Sequence, residues 1–437
     1  MRMHAPLILA AGTLAGTLAA TGALAQAPAG PVLSNPQISV ILDGVAYADD
    51  VQGTGNEWLD EAAGILHGHG GHADGHAGIE EGFNLRGAEV VMSATVDSLF
   101  DARANLAFSD DGVEIEEAFF TTRALPAGWQ VKGGRFFSGF GYANSRHPHS
   151  WDFVDQNLAY RSLVGGHGLK DTGLQLTFSP ATDTWMQFGI EVLQGHEQEK
   201  LGAAVDEHDV EDMLADAGLV LAAPSTPLLD RRGPQLYTGF LRVGPDLGTD
   251  HALQLGLSCA LHKSQQEAHA EGEPVTDIFV AEGEASLLGL EAVYKRAATG
   301  RQGQGGWRIN AEYLLLDKDL VIADHTDAAE IGEPLTGTQD AFYVQCVYGF
   351  APRWEAGLRY DAAGTGSNEI AEGGSTTALG DSSRVSAALT FRPSEYAYWR
   401  LQLADADITD ESGARENFTQ VMLQFNLSLG AHGAHVF

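Results

Sequence analysis

Cysteine is nearly missing from this sequence, with two in 437 residues, Cys259 and Cys346. Two cysteines make no disulfide framework. Both fall in the apolar phase of alternating runs, which reads as small lipid- or core-facing side chains, with a single bridge as the alternative. Basic residues are scarce too: 25 Lys plus Arg face 59 Asp plus Glu, for a formal net charge of −34. That excludes nucleic acid as a natural partner, because phosphate contacts need basic patches. It also disfavours phosphate and other anions as cargo and makes cations the natural partners. Beyond the first two dozen residues, no run approaches the roughly 18 apolar residues that a spanning helix needs. No Pro/Ser-rich linker or composition break marks a domain boundary, and no nucleophile motif stands out.

The opening residues, MRMHAPLILAAGTLAGTLAATGALA, form a secretory signal peptide over residues 1–25. Arg2 supplies the positive start, an apolar run follows, and Ala23-Leu24-Ala25 is a small-x-small cleavage site. The mature chain, 26–437, is then either soluble and secreted or a membrane barrel, since helices and closed barrels are the two spanning solutions.

What the chain does contain is alternation. The last stretch reads NFTQVMLQFNLSLGAHGAHVF. Val421, Leu423, Phe425, Leu427 and Leu429 share one strand face, and Gln420, Gln424, Asn426 and Ser428 share the other, with Met422 the exception. Phe437 ends the chain in the apolar phase. Similar runs recur from Pro36 onward, about sixteen in all. Most are long enough to cross a membrane at a tilt, for which about 9–11 residues suffice.

The connections between these runs alternate short Pro/Gly turns with long polar segments; Ser109–Gly112 is the one short member of the long set. A soluble sandwich has no reason to sort its loops this way. An outer-membrane barrel does, with short periplasmic turns, long extracellular loops and both chain ends on the periplasmic side. Closure also removes the edges that sixteen strands would otherwise expose. The expected fold is therefore all-β: a transmembrane antiparallel barrel of about sixteen strands, over residues 26–437, in the outer membrane of a Gram-negative bacterium. Trp185, Trp307, Trp354, Tyr360, Tyr398 and Trp399 near strand ends suit interfacial girdles.

Several segments could carry chemistry. His67, His69, His72 and His76, with Asp74 among them, lie in the first long loop. Neutral imidazole suits Zn²⁺, Cu²⁺ and Ni²⁺, and the intervening glycines suggest labile metal capture; a solvated low-complexity loop is the bland alternative. The segment 139–170 holds Phe140, Tyr142, Trp151, Phe153, Leu158, Tyr160 and Leu163, too much apolar surface for a loop in water. It is expected to fold into the lumen. Arg146, His147, His149, Asp152 and Asp155 would then line a constriction, either as a transient ion filter or as groups that pin the loop to the wall.

Residues 195–216 and 269–284 read as acidic loops, able to attract cations or simply hydrated; Val210–Leu221 reads as a short surface helix. Inward-phase charges are mixed, with Arg103, Arg308, Arg359, Arg392 and Arg400 against Asp101, Glu291, Glu312, Glu355 and Asp361. They would polarise pore water or brace the lumen by cross-strand pairing.

The run from Gly128 to Asp155, including GGRFFSGFGYANSRHPHSWDFVD, resembles porin-type barrels of the phosphate-selective group. It is more closely similar to proteins labelled zinc-regulated TonB-dependent outer membrane receptors, as are the His-rich first loop and the ending SLGAHGAHVF. The first strand starts about ten residues past the cleavage point, so no plug domain is expected. The resemblance implies a porin-like channel whose third long loop narrows the pore, embedded in outer-membrane lipid by the barrel-assembly machinery and commonly a homotrimer.

The functional expectation is passive uptake of small ions or solutes, with a cation preference and extracellular zinc capture. No cofactor is required; Zn²⁺ would be ligand or cargo. The alternatives are a metal-scavenging surface barrel, a TonB-assisted receptor-like protein, or a barrel hydrolase with a Ser/His or Asp/His set at its rim.

Overall fold

The computed structural model describes residues 35–430, apart from 63–78, 110–111, 196–197, 199, 203–204, 206, 223–231, 272–273 and 411. The expected signal peptide, the 67–76 histidine tract and Phe437 lie outside the described residues. The first strands are β1 (Gln37–Asp49), β2 (Gly82–Thr95), β3 (Phe100–Ser109), β4 (Gly112–Thr122), β5 (Trp129–Phe137) and β6 (Lys170–Phe178). Next come β7 (Trp185–Leu193), β8 (Leu236–Gly244), β9 (His251–Glu271), β10 (Asp277–Arg296), β11 (Trp307–His325) and β12 (Pro334–Ala351). The last are β13 (Trp354–Glu372), β14 (Ser375–Ala378), β15 (Ser382–Ser394), β16 (Ala397–Thr409) and β17 (Arg415–Gly430).

Each strand pairs antiparallel with the next, except that β14 caps only the far end of β13 while β15 pairs with the body of β13. β17 returns to β1, from Ser39 opposite Gly430 to Asp49 opposite Gln420. The described strands thus form a closed antiparallel ring of sixteen, with β14 as an appendage. Closure leaves the described ring without an edge strand.

Side chains alternate across this wall, but in the reverse sense from a soluble protein. On β17, Gln420, Gln424, Asn426 and Ser428 are buried inside, while Val421, Leu423 and Leu429 are exposed outside. β9 repeats the pattern, with Gln254, Ser258 and His262 buried and Leu255, Leu257 and Leu261 exposed. Cys259 and Cys346 are both free. At the rim with the short turns, aromatic residues pair across strands. Trp129 stacks on Phe178 and Trp307 on Tyr348, while Trp354 packs tilted against Phe391 and Trp399 against Phe425, with centroids 4.4–4.7 Å apart. Tyr398 departs from the expected girdle. It points inward, and its hydroxyl donates to the His149 carbonyl at 2.8 Å.

On the opposite rim the wall is taller than the sequence reading. Residues 269–284 are not an acidic loop, because β9 runs 21 residues to Glu271 and β10 starts at Asp277. Their upper parts show no apolar alternation because both faces are covered. Inside, Phe279 and Ala281 pack with Leu320, Ile322 and Leu335. Outside, helix α3 (Glu207–Ala217), at the place read as a surface helix, lays Val210, Met213 and Leu214 against Ala268 and Val280.

The seam between β1 and β17 is open to a direct test. Ala46 and Leu423 are opposed across it, and paired antiparallel residues lie about 4.5–5.5 Å apart at Cα, within disulfide range. The double variant Ala46→Cys, Leu423→Cys should form a bridge that joins the two ends of the chain, seen as a reductant-sensitive band shift in denaturing electrophoresis. Failure to bridge under oxidation would contradict closure.

Candidate functional site

Residues 138–169 leave β5, cross the lumen and return to β6. Two helices number in chain order before α3: α1 (Gly55–Asp60), after β1, and α2 (Leu158–Leu163), within the crossing segment. Thr54 and Glu57 form a reciprocal capping box at the start of α1; Asn157 caps α2 through Tyr160 N–H. The apolar content draws the segment inward. Phe140, Leu158, Tyr160 and Leu163 are buried against Leu287, Leu314 and Tyr343 of β10–β12.

Polar groups of the wall fix its path. Glu312 on β11 accepts from the Tyr142 and Ala143 amides and the Tyr160 hydroxyl, each at 2.8 Å, and from the Tyr343 hydroxyl at 2.6 Å. Glu191 on β7 accepts from the Gly139 amide at 2.8 Å, and Arg242 on β8 donates to the Gly139 and Gly141 carbonyls at 2.7 Å each. Gly141 has φ +61°, and a Cβ there would lie 2.0 Å from the Tyr160 hydroxyl and 2.6 Å from Glu312 Oε2. Only glycine fits this position.

The five constriction candidates are not one site. Arg146 lies over the Tyr142 ring, 4.1 Å from its centroid, and donates to that hydroxyl. His147 and His149 stack with centroids 5.5 Å apart against β2 and β4. There His147 Nδ1 is 3.1 Å from Glu116, its Nε2 is 3.1 Å from Glu117, and His149 Nδ1 is 3.2 Å from Glu89. Asp152 is held by Arg308 at 2.8 Å and by Gln345 at 3.3 Å. Asp155 sits between Arg359 at 2.6 Å and Arg384 at 2.7 Å, with the Gln402 amide at 2.8 Å.

The segment is therefore stapled around much of the ring. Burial alone would raise the Asp155 carboxyl; Arg359 and Arg384 outweigh it and hold it well below the usual carboxylate range. Burial would lower His147, yet Glu116, Glu117 and Glu89 hold it well above its usual value.

Of the mixed inward charges, several brace the wall as pairs: Arg308 with Glu355 at 2.8 Å, Arg359 with Asp361 at 2.8 Å and Arg392 with Glu355 at 3.3 Å. Arg400 instead donates to the Phe153 carbonyl and to Gln424, both at 3.0 Å. Sequence reasoning missed Arg161, which is buried on α2 and bonds Asp60 of α1 at 2.6 and 2.9 Å. It also missed Arg86, Glu89, Glu116 and Arg384. Two of these lie on bulges. Asp43 pairs with Gly87 and Gly44 with Leu85, leaving Arg86 over; Asn105 pairs with Glu117 and Leu106 with Ile115, leaving Glu116 over. Strict alternation cannot find a residue that a bulge re-aims.

A closed sixteen-strand antiparallel ring, polar within and apolar without, with an inward segment across it, defines the class as a β-barrel of inside-out pattern. The chain belongs to the same family as an uncharacterized protein of Aquifex aeolicus (strain VF5). It is 33% identical to that protein over 406 residues, covering 92% of this chain and 80% of the relative. No family model matches. Among solved structures, it is similar to OmpT of Vibrio cholerae at 10% identity, covering 92% of this chain and all of that one, with a TM-score of 0.49. It is also similar to the outer membrane channel DcaP of Acinetobacter baumannii at 12% identity, covering 90% and 97%, with a TM-score of 0.48. An anion-selective porin from Comamonas acidovorans matches at 11% identity over 90% and 99%, with a TM-score of 0.46. These likenesses are too distant for any property of those proteins to be carried to this chain.

Asp155→Asn leaves two buried guanidiniums short of a carboxylate, a loss of about 3–5 kcal/mol for a broken buried pair. Gly141→Val removes the close approach to Glu312. Both variants should expose Arg146 and Arg161 to trypsin in an otherwise intact barrel, whereas the parent resists cleavage there. The Asp155 carboxyl is depressed, so its contribution is complete above the ordinary value near ~4 and is lost only as pH falls through the lower folded value. Resistance of Arg161 to a protease active in acid should therefore be the same at pH 7 and pH 5.

Proposed function

We propose that this chain is a porin-like channel of the Gram-negative outer membrane that admits small solutes passively and favours cations. The observation that carries the reading is the inverted alternation of the wall. Large apolar side chains such as Ile190, Leu358, Val385 and Leu403, at 50–65% exposure, cover the outside. In water, so continuous an apolar surface would drive association; in lipid it is the stable arrangement. The aromatic pairs at the short-turn rim suit a membrane–water interface. The net charge of −34 supports a cation preference. Zinc capture by His67, His69, His72 and His76 belongs to the same proposal, as does assembly into a homotrimer. The phosphate selectivity of one resembling group does not suit this chain's acidic balance, and TonB dependence is not part of the proposal.

The dense stapling of residues 138–169 favours a narrow passage. It also gives weight to a second reading, in which the barrel anchors a metal-scavenging surface and conducts little.

Planar-bilayer recording separates the two. The proposal expects discrete conductance steps and, under a KCl gradient, a reversal potential of the sign for cation selectivity; anion selectivity removes the cation claim, and no steps at all favours the scavenger. Alanine at all four tract histidines should weaken zinc binding by calorimetry. Leu257→Arg should destabilise the barrel in lipid vesicles by about 2–4 kcal/mol if the site lies near the bilayer midplane.

A further inference from the structure

The inward segment meets the β2–β4 wall at a cluster of nitrogen and oxygen donors that the channel reading does not use. We propose that Glu89, Glu116 and His147 bind a divalent transition-metal ion of zinc-like chemistry, with Asn105 supplying a fourth donor. The three groups come from three separate stretches: β2, the β4 bulge and the crossing segment. One ligand atom from each lies within 4.8 Å of the others. His147 Nδ1 is 3.1 Å from Glu116 Oε2 and 3.9 Å from Glu89 Oε2. Donors at ~2.0–2.1 Å from a tetrahedral ion sit about 3.3 Å apart, so little movement is needed to close the set.

Asn105, on β3, supplies the independent sign of a ligand position. It is fully buried, and its amide nitrogen lies at the middle of the cluster, 3.1 Å from Glu89, 2.6 Å from Glu116 and 3.4 Å from His147 Nδ1. Its Oδ1, also buried, has no hydrogen-bond partner. Half a turn of the amide would trade its N–H bonds to Glu89 and Glu116 for an oxygen aimed into the cluster, an exchange that a cation held between these groups would favour.

The surrounding groups hold the ligands as outer partners do in metal sites. Glu117 Oε2 lies 3.1 Å from His147 Nε2, and His149 Nδ1 lies 3.2 Å from Glu89 Oε1. Three carboxylates converge here, and Arg103 approaches only the outer one, 3.7 Å from Glu117 and 40% exposed. One imidazole with carboxylate oxygens suits Zn²⁺, Co²⁺, Ni²⁺ or Fe²⁺ rather than the soft Cu(I). The β4 bulge at Glu116 is what brings two consecutive carboxylates to the same ring. An ion bound here would tie the crossing segment to the wall.

The test uses the full mature chain in detergent, with the tract at His67, His69, His72 and His76 changed to alanine, and Co²⁺ alone as the probe. The proposal expects one equivalent of Co²⁺ to bind, with a visible absorption band that Zn²⁺ abolishes. His147→Ala and Glu116→Gln should each weaken binding at least tenfold, and Glu117→Gln, an outer partner, by about tenfold. Asn105→Asp adds a donor instead of removing one and should tighten binding. Heat-modifiable migration in electrophoresis checks that each variant is folded. No Co²⁺ binding by the tract-free chain, or binding indifferent to His147→Ala, Glu116→Gln and Asn105→Asp, overturns the proposal. Conductance plays no part in this readout, so the site and the channel stand or fall separately.

Discussion

Arg384 and Arg400 are among the largest fully buried side chains of this protein. A guanidinium removed from water without a partner costs several kcal/mol, and the wall meets these only in part, with Asp361 shared by Arg359 and Arg384 and Gln424 facing Arg400. The crossing segment brings what is missing: Asp155 for Arg359 and Arg384, Asp152 for Arg308, and the Phe153 carbonyl for Arg400. The exchange runs both ways. Backbone amides of the segment that would be unpaired in the lumen find Glu191, Ser258, Glu312 and Asp361 on the wall. This mutual satisfaction allows a ring with a polar interior to be filled and still be stable.

The outside follows from the same alternation. If every second residue meets a hydrated or hydrogen-bonded interior, the others face away, and in this chain they are leucine, valine, isoleucine and aromatic. The seam from β17 to β1 makes the arrangement continuous, so the described ring has no edge strand. Bulges at Arg86 and Glu116 interrupt the alternation where the inner wall must present extra charge to the crossing segment.

Much of this was legible in the sequence. The sixteen runs, from β1 to β17, could be read because their two faces differ in polarity along each run. The direction of residues 139–170 followed from apolar content that water would not tolerate. The upper parts of β9 and β10 were not legible, because a strand covered on both faces loses its period; residues 269–271 and 277–284 read as loop although they are strand. The candidate site was half legible. His147, His149, Asp152 and Asp155 were identified, but their partners Glu89, Glu116, Arg384 and Gln402 lie up to 247 residues away or on a bulge. No local pattern announces such pairings.

Spin labels on adjacent residues of β17 test most directly whether an apolar exterior meets lipid around a polar interior. With the protein in lipid vesicles, a label at Leu423 should collide freely with dissolved oxygen and rarely with a water-soluble nickel complex. A label at Gln424 should be immobilised and shielded from oxygen. Equal water exposure at both positions, or the opposite assignment, would contradict the account.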